Sequence, residues 1–410
     1  MRIAYLTSRY PAVSHTFIQR EVRALSRTGL TVETFAIRRA QPHEVLAEVD
    51  REEFERTTSL LPVSPAALVT AHARAVLGAP FAYLRTLARA LRLTPGGARG
   101  TLWQLFYFGE AILMWNHCVG RNIRHLHVHF ANVSADVAML ATAFGRLAER
   151  GESWTWSFTM HGSTEFFDVR HHRLAQKAAD AHFVVCVSDF TRSQLMGLLP
   201  ESEWPKLRVV HCGLDPATYA PADGNRPGPG IEVLCVGRLV PGKGQAVLLE
   251  AIRQLRSGGR DVRCTFVGDG PSRGVLEAAI REGGMDGVVT LTGAVGQDEI
   301  RAAYGDADVF CLPSFAEGVP VVVMEAMSME IPVVTTLIAG VPELITDGVN
   351  GLLVRPGRAD ELAAALQRLV DDPDLRQRLG ARARETVMAS FDIGAISWQL
   401  RDVFGSFLER

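Results

Sequence analysis

Short apolar runs alternate along the chain with longer stretches whose apolar positions recur every three to four residues. In the first half these runs are RIAYLTS, LTVETFAI, HLHVHF, WTWSFTM and HFVVCVS. The clearest helical stretch is SHTFIQREVRALSRTG, where Ser14 suits the N-cap and Gly29 the end. Strand runs that are each followed by a helical stretch predict a parallel sheet with crossover helices.

A second series of apolar runs begins at residue 231. Its members are IEVLCVG, RCTFVGDG, VVTLTG, DVFCLPS, PVVTT and GLLVRP. Between the two series, residues 213–230 are rich in Pro and Gly and sustain neither period. We therefore predict an α/β protein of two doubly wound domains, with one ligand cleft facing the carboxyl ends of both sheets. The predicted segments are an N-terminal domain over 1–212, a linker over 213–230, a second domain over 231–384, and a helical end over 385–410 that returns to the first domain.

Composition narrows the class of protein without identifying its function. The 410 residues are 47% hydrophobic with a net charge of −2, which is typical of a globular protein and not of a disordered or nucleic-acid-binding one. No run of about 18 apolar residues predicts a membrane span. The start, MRIAYLTSRYP, lacks the features of a signal peptide, and six dispersed cysteines without a C-x-x-C pair predict reduced thiols in a cytosolic protein.

The stretch VLCVGRLVPGKGQAVLLEAI predicts a strand, a glycine-containing turn and the start of a helix. Arg238 and Lys243 lie in the turn, and two cations beside free helix N–H groups suit a diphosphate. The spacing matches neither a P-loop nor a G-x-G-x-x-G fingerprint. An exposed turn with solvated cations is an equally good interpretation of this segment alone.

The stretch EGVPVVVMEAM places two acids around an apolar run. A helix beginning near Val319 or Pro320 would leave Glu317 in the preceding loop and put Glu325 in the second turn. At about 1.5 Å of rise per residue, the two acids would stand roughly 9–12 Å apart. Because an unpaired buried carboxylate is costly, we expect Glu325 to accept from ribose hydroxyls and Glu317 from sugar hydroxyls.

Taken together, these segments resemble the retaining glycosyltransferases of family four, which have the GT-B fold of two Rossmann-like domains. The resemblance rests on the spacing of Glu317 and Glu325, the GR…GKG turn, and the segments VVHCGLD, FVGDGP and AYGDADVFCLPS, in order across 209–356. In the first half, YPAVSHTFIQREV, HLHVHF and FTMHGSTEFF are similar to bacterial exopolysaccharide glycosyltransferases of the colanic acid type.

The resemblance implies a role for particular side chains. The implied catalytic residues are His161, facing the transferring sugar, with Glu317, Arg238 and Lys243. The implied donor-binding residues are Arg238 and Lys243 on the diphosphate, Glu325 on the ribose, and Val295, Glu317, Gly318, Val319 and Pro320. Where the family has a Gly-Gly pair, this chain has RYPAVSHTF, so Ser14 is expected on the acceptor side together with His129.

The resemblance also implies a reaction. A sugar would pass from a nucleotide diphosphate sugar, with UDP as the first choice of nucleotide, to an acceptor hydroxyl with retention of configuration and without a metal or other cofactor. The product would belong to exopolysaccharide or another glycoconjugate. Three alternatives stay open: tailoring of a soluble natural product, epimerisation of a UDP-sugar on the same fold, and a non-catalytic subunit that binds nucleotide sugars.

His125, His127 and His129 alternate in sequence, so on a strand they share one face. Such a cluster suggests a metal ion. Three neighbours on one strand rarely converge with tetrahedral geometry, however, and no Cys or acid lies nearby in sequence. We therefore predict no metal site and expect His129 to line the acceptor side.

Residues 57–109 contain no Asp or Glu but several arginines. In FAYLRTLARALRL, Phe81, Leu84, Leu87 and Leu91 share one predicted helical face, whereas Arg85, Arg89 and Arg92 follow another. The segment is either an ordinary surface helix with its apolar side on the core, or a helix that rests on an anionic membrane through its arginines.

Overall fold

The computed structural model describes residues 1–12, 15–94, 96–162, 164–221 and 230–408. The chain divides into two compact units, the first made of residues 1–210 with 397 onward and the second of residues 211–396. Each unit contains a parallel sheet flanked by helices, which confirms the predicted pair of doubly wound α/β folds.

The first unit has a seven-stranded sheet in the order β3-β2-β1-β4-β5-β6-β7. The strand order reverses between β1 and β4, and the apolar runs predicted every strand except β3 and β7, which are short and lie at the two edges. The strands are β1 (Arg2–Tyr10), β2 (Thr31–Arg39), β3 (Thr58–Leu61), β4 (His125–His129), β5 (Thr155–Met160), β6 (Phe183–Cys186) and β7 (Leu207–Val209).

The first helix of this unit begins one residue later than the sequence suggested. His15, not Ser14, occupies the N-cap position, and Ser14 lies outside the described residues. Gly29 follows the end of the helix at a φ of 84°, as predicted. The helices are α1 (Thr16–Arg27), α2 (Glu48–Arg56), α3 (Pro65–Gly78), α4 (Pro80–Arg92), α5 (Gly97–Gly120), α6 (Val133–Ala148), α7 (Val169–His172), α8 (Leu174–Asp180) and α9 (Asp189–Met196).

Helix α4 turns only part of its predicted apolar face toward the core, so the ordinary surface-helix interpretation holds only in part. Phe81, Leu84 and Leu91 are exposed, whereas Leu87 packs partly against the core. The inward face of α4 consists of Ala82, Thr86 and Ala90, because the helix packs closely against its neighbours and small side chains permit that approach. The arginines do not act as one group either. Arg89 is paired with Asp180.

The alternating histidines of β4 are buried among polar and aromatic groups. His125 hydrogen-bonds the hydroxyls of Thr155 and Ser157, and His127 those of Ser157 and Thr159. The ring of Phe404, from the last helix, lies 5.2 Å from that of His127. Hydroxyls on the neighbouring strand β5 therefore satisfy the ring nitrogens that burial removes from water.

The second unit has a six-stranded sheet in the order β10-β9-β8-β11-β12-β13, which reverses between β8 and β11. All six strands coincide with predicted runs. They are β8 (Ile231–Val236), β9 (Val262–Val267), β10 (Val289–Gly293), β11 (Val309–Leu312), β12 (Val333–Thr336) and β13 (Leu352–Val354). The helices of this unit are α10 (Gln245–Ser257), α11 (Arg273–Glu282), α12 (Gln297–Asp306), α13 (Val321–Ser328), α14 (Ala359–Asp371) and α15 (Pro373–Ser390). The last helix, α16 (Ile393–Leu408), begins in the second unit and belongs to the first from residue 397 onward.

Two predicted segments differ from the structure. Within the predicted linker 213–230, Leu214 and Tyr219 are buried and belong to the second unit, whereas residues 222–229 lie outside the described residues. The segment 385–410 is not one helix, because residues 391–392 separate α15 from α16. At this interruption the Leu214 N–H donates to the Phe391 carbonyl. Beyond this break, α16 contributes Phe404 to the core of the first unit.

Buried histidines should make the first unit sensitive to acid. Burial lowers the pKa of His125 to about 3 and that of His15 to about 4, and it lowers those of His127 and His161 well below the usual value. Below about pH 6.5 the unfolded chain therefore binds more protons than the folded chain, and the free energy of unfolding decreases.

We expect His125→Gln to reduce this pH dependence by about 1.4 kcal/mol per pH unit between pH 6 and 5, since one titrating group is removed. Urea unfolding followed by tryptophan fluorescence measures it, because all six tryptophans lie in the first unit. Val128→Ala, on the same strand, should lower stability without changing the slope. Equal slopes for His125→Gln and the wild type would contradict the prediction.

Candidate active site

In the second unit, the two motif-bearing loops meet where the strand order reverses. One loop follows β8 and carries Arg238 and Lys243, and the other follows β11 and carries Glu317. β8 and β11 are hydrogen-bonded neighbours. In doubly wound sheets, ligands bind outside the carboxyl ends of the strands at this reversal.

Backbone contacts hold the two loops together. The N–H of Phe315 donates to the carbonyl of Gly242 at 2.8 Å. Gly244 has a φ of 68°, and a Cβ at this position would lie 2.0 Å from the carbonyl oxygen of Pro313. The second glycine of the GKG turn is therefore required both by its conformation and by the close approach of the neighbouring loop.

Lys243 and Glu317 form an ion pair across this contact, with Nζ and Oε1 2.5 Å apart. The Glu317 side chain is 10% exposed and that of Lys243 is 27% exposed, so the acid is nearly buried while the lysine stays partly exposed to solvent. Arg238, in the same loop as Lys243, is exposed, and its carbonyl accepts from the side chain of buried Gln245. Gln245 was not among the predicted site residues, and the contact between Lys243 and Glu317, for which separate roles were expected, was not predicted either.

Glu325 lies in the second turn of α13, which begins after Pro320 as predicted. Its carboxylate is buried and accepts a hydrogen bond from the Tyr304 hydroxyl at 2.8 Å. The expectation that a buried acid here would need a ligand as its partner is therefore wrong, because Tyr304 supplies one. A role for Glu325 in binding ribose remains a prediction, in which the tyrosine holds the carboxylate in place.

The other predicted donor-binding residues fall into two groups. Gly318, Val319 and Pro320 are buried directly ahead of α13, whose first N–H groups have no acceptors within the helix. Val295 follows the edge strand β10, two strands away from β8. The structure thus groups Lys243, Glu317 and the start of α13, and places Val295 farther along the same edge of the sheet.

In the first unit, a chain of hydrogen-bonding side chains leads to His161. The hydroxyl of Tyr5 donates to Glu21 Oε1 at 2.7 Å, and the same oxygen lies 3.4 Å from His129 Nε2. His129 Nδ1 lies 2.7 Å from His161 Nε2. His129 is fully buried, so we infer that any effect of this side chain on a ligand passes through His161. The sequence analysis missed Glu21 because it resembles an ordinary polar position of α1.

Burial keeps His161 and His15 neutral. It lowers the pKa of His161 well below the usual value, and the nearby His129 and His15 lower it further. Burial likewise lowers the pKa of His15, which caps α1, to about 4. Neutral imidazoles at this position suit hydrogen bonds with uncharged hydroxyls better than ion pairs with phosphate.

A metal ion is a poor explanation of the β4 histidines. Ligand atoms of Glu21, His127 and His129 do lie within 4.8 Å of one another. Both ring nitrogens of His127 are already engaged, however, one by Ser157 at 2.7 Å and the other by Thr159 at 2.9 Å. Binding a metal here would break one of these bonds, so we describe the cluster as a hydrogen-bonded histidine strand.

A shallow depression of about 560 Å³ lies elsewhere on the first unit. Its lining includes Trp154 and Thr155, at the start of β5, whereas His161 follows the end of that strand. The depression is therefore at the opposite edge of the sheet from His161. Its position does not fit the carboxyl-edge location of ligand sites in doubly wound sheets.

Comparison with known proteins relates both the domain and the whole chain to enzymes. Residues 220–386 match the family model described as "Glycosyl transferases group 1". The colanic acid biosynthesis glycosyltransferase WcaL of Salmonella typhimurium is 28% identical over 98% of either chain. The alpha-D-kanosaminyltransferase of Streptomyces kanamyceticus is 37% identical over 42% of this chain and 45% of its own.

Solved structures show the same fold. The crystal structure of Anabaena HepE in complex with UDP and glucose superposes with a TM-score of 0.73, at 17% identity, and covers 99% of this chain and 100% of its own. Identity this low shows a shared fold of two Rossmann-like domains and nothing about the ligand.

The glycines of the GKG turn offer a matched pair of substitutions. Gly244→Ala should destabilise the second unit by at least about 2 kcal/mol, because it combines a left-handed conformation with a backbone clash. Gly242→Ala should be nearly neutral, because a Cβ there meets nothing within 4 Å. Urea unfolding followed by circular dichroism measures both. A neutral Gly244→Ala would show that the two loops are not held in contact.

Proposed function

We propose that this chain, a homologue of exopolysaccharide glycosyltransferases with a group 1 domain at residues 220–386, transfers a sugar from a nucleotide diphosphate sugar to an acceptor hydroxyl. The supporting observation is the meeting of Lys243, Glu317 and the start of α13 at the point of strand reversal. A cation beside free helix N–H groups at this point of a doubly wound sheet suits a diphosphate.

In this proposal, the cations stabilise the departing diphosphate. As the bond from the anomeric carbon to the phosphate oxygen breaks, negative charge accumulates on the diphosphate, and exposed Arg238 and partly exposed Lys243 are proposed to offset it. The ion pair with Glu317 limits where the ammonium can go, so it is oriented before the donor binds. This positive charge lets the proposed reaction proceed without a divalent cation, so activity should survive EDTA.

We further propose that the configuration at the anomeric carbon is retained by front-face attack. The acceptor oxygen bonds to the anomeric carbon on the side that the phosphate leaves, and a phosphate oxygen takes the acceptor proton. Glu317 is a poor nucleophile for a double displacement, because Lys243 neutralises it. The anomeric configuration of the product, read by proton NMR, tests whether the configuration is retained; mass spectrometry of protein incubated with the donor would detect the glycosyl-enzyme intermediate that a double displacement requires.

His161 is proposed to hold a hydroxyl of the transferring sugar. Its neutral ring can donate or accept such a bond, and the contact with His129 restricts which nitrogen carries the proton. The Glu325 carboxylate, held by Tyr304, is proposed to accept from the ribose hydroxyls. Ser14 and His129 remain predictions for the acceptor side.

Exopolysaccharide synthesis is the pathway that the comparisons favour. The WcaL match covers 98% of the chain, and so includes the half that would bind the acceptor. The kanosaminyltransferase match covers only 42% of the chain and supports tailoring of a natural product less. All six cysteines are unpaired and buried, which fits the proposed work in the reducing cytosol.

A donor screen tests the proposal. Purified protein is incubated with UDP-, GDP-, ADP- and TDP-sugars, UDP-sugars first, and release of nucleotide diphosphate is measured with and without acceptors. Slow release without an acceptor, accelerated by one, is the expected result. Isomerisation of the donor with no acceptor present would instead indicate an epimerase, and binding without any turnover would indicate a non-catalytic subunit.

Lys243→Ala should lower kcat by about 100- to 1,000-fold, because it removes a charge that acts on the departing diphosphate. Arg253→Ala, an exposed ion-paired arginine on α10, is the control and should keep wild-type kcat. Steady-state turnover of the preferred donor measures both variants. Normal kcat in Lys243→Ala would refute this assignment.

Glu325→Ala should weaken nucleotide binding by about 1.5–3 kcal/mol if the carboxylate makes charged hydrogen bonds to ribose. Tyr304→Phe removes the internal partner but keeps the acid, so it should weaken binding less. Titration calorimetry with nucleotide diphosphates separates the two variants. Equal loss of stability in both variants with unchanged nucleotide affinity would show that Glu325 is purely structural.

A further inference from the structure

The exposed large apolar side chains of this protein are concentrated in one part of the chain. Of the nineteen among the described residues, ten lie on α3, α4 and the first half of α5, a surface that we call the α3–α5 apolar surface. They are Val69, Val76, Leu77, Phe81, Leu84, Leu91, Leu102, Trp103, Leu105 and Phe106. Single exposed apolar residues are ordinary, but a group of this size marks an interaction surface.

On α4, the apolar and basic exposed residues share one face. Phe81 is 87% exposed and Leu84 is 62% exposed, and Leu91 is also exposed. Arg85 and Arg92 follow Leu84 and Leu91 directly and are exposed as well. At 100° per residue all five lie on the side opposite the buried alanines of the same helix.

The neighbouring helices present similar faces. On α3, Val69 and Leu77 are 66% and 84% exposed. On α5, Leu102, Trp103 and Phe106 are exposed one helical turn beyond the exposed Arg99. The three helices pack against one another, so their exposed residues lie on adjoining parts of the first unit.

The charge on this surface has one sign. Residues 57–109 contain no acid, and Arg85, Arg92 and Arg99 are exposed. Arg89 does not contribute, because it pairs with Asp180, and Arg74 donates to Asn116. The predicted set of Arg85, Arg89 and Arg92 is thus corrected to Arg85, Arg92 and Arg99.

We propose that the α3–α5 apolar surface docks on an anionic lipid bilayer. Apolar side chains next to long arginines suit the boundary between acyl chains and headgroups, where the guanidinium groups reach the phosphates. Arginines near an anionic surface are attracted to it, and salt weakens this attraction. Trp103, exposed and in contact with the Tyr107 ring, is the type of side chain enriched at this depth.

The structure fits docking better than insertion. No single helix in the described ranges is long and apolar enough to cross a bilayer, and α3 and α4 meet that requirement only together, bent by 115°. The alanines of α4 and α3 also hold both helices against the unit, which leaves only their outer faces for lipid. The inference rests on the proposed function and adds to it that the acceptor is carried on a lipid.

Vesicle binding tests the proposal with the intact protein. Co-sedimentation is measured with vesicles of phosphatidylglycerol and phosphatidylethanolamine, and with vesicles of phosphatidylcholine alone. We expect at least tenfold stronger partitioning onto the anionic vesicles, reduced by salt, together with a blue shift of tryptophan emission. Phe81→Ser with Leu84→Ser, and separately Arg85→Glu with Arg92→Glu, should each reduce partitioning at least tenfold.

Two controls separate this proposal from its competitors. Val275→Ser, 72% exposed in the second unit, should bind vesicles like the wild type. Donor hydrolysis without vesicles should be the same in the docking variants as in the wild type. If the wild type itself does not hydrolyse a donor, that result counts against the proposed function and not against docking. Absence of vesicle binding would overturn the docking proposal. A dimer in sedimentation velocity that the serine variants dissociate would also overturn it, because a second copy would then cover the surface. Vesicle-bound protein that carbonate does not extract would overturn it as well, because it would indicate insertion into the bilayer.

Discussion

The close approach of two backbone segments at Gly244 fixes the geometry of the second unit's candidate site. The loop after β8 can reach the loop after β11 only because residue 244 has no side chain. That approach places Lys243 against Glu317, whose side chain is almost buried. A buried charge is tolerated when it is paired, so the lysine stabilises the acid while its own side chain stays partly exposed. Backbone contact thus produces an oriented cation at the edge where ligands bind.

The first unit orients a side chain by a different means. Here the constraint is the burial of three histidines on one strand, which β5 hydroxyls satisfy for His125 and His127. His129 lies beyond the last of these hydroxyls and pairs with His161 instead. The pattern that first suggests a metal is therefore explained by hydrogen bonding, and its final member transmits that order to the residue proposed to hold the sugar.

The sequence predicted the elements that depend on local pattern. Every long buried strand appeared as an apolar run, and the turns bearing Lys243 and Glu317 were identified from their residues and the family resemblance. What it missed depends on contacts between distant segments. Neither the pairing of Tyr304 with Glu325 nor that of Glu21 with His129 leaves a signal in sequence, because each joins residues that only the fold brings together.

Helix α4 shows why periodicity alone did not decide its orientation. An amphipathic pattern ordinarily means that the large apolar face is buried. In α4 the alanines and Thr86 form the buried face, because close packing of helices favours small side chains over large ones. Phe81, Leu84 and Leu91 are then left exposed, and the contact of these apolar side chains with water is unfavourable. The absence of acids across residues 57–109 points to the same conclusion, that this face has a partner other than water.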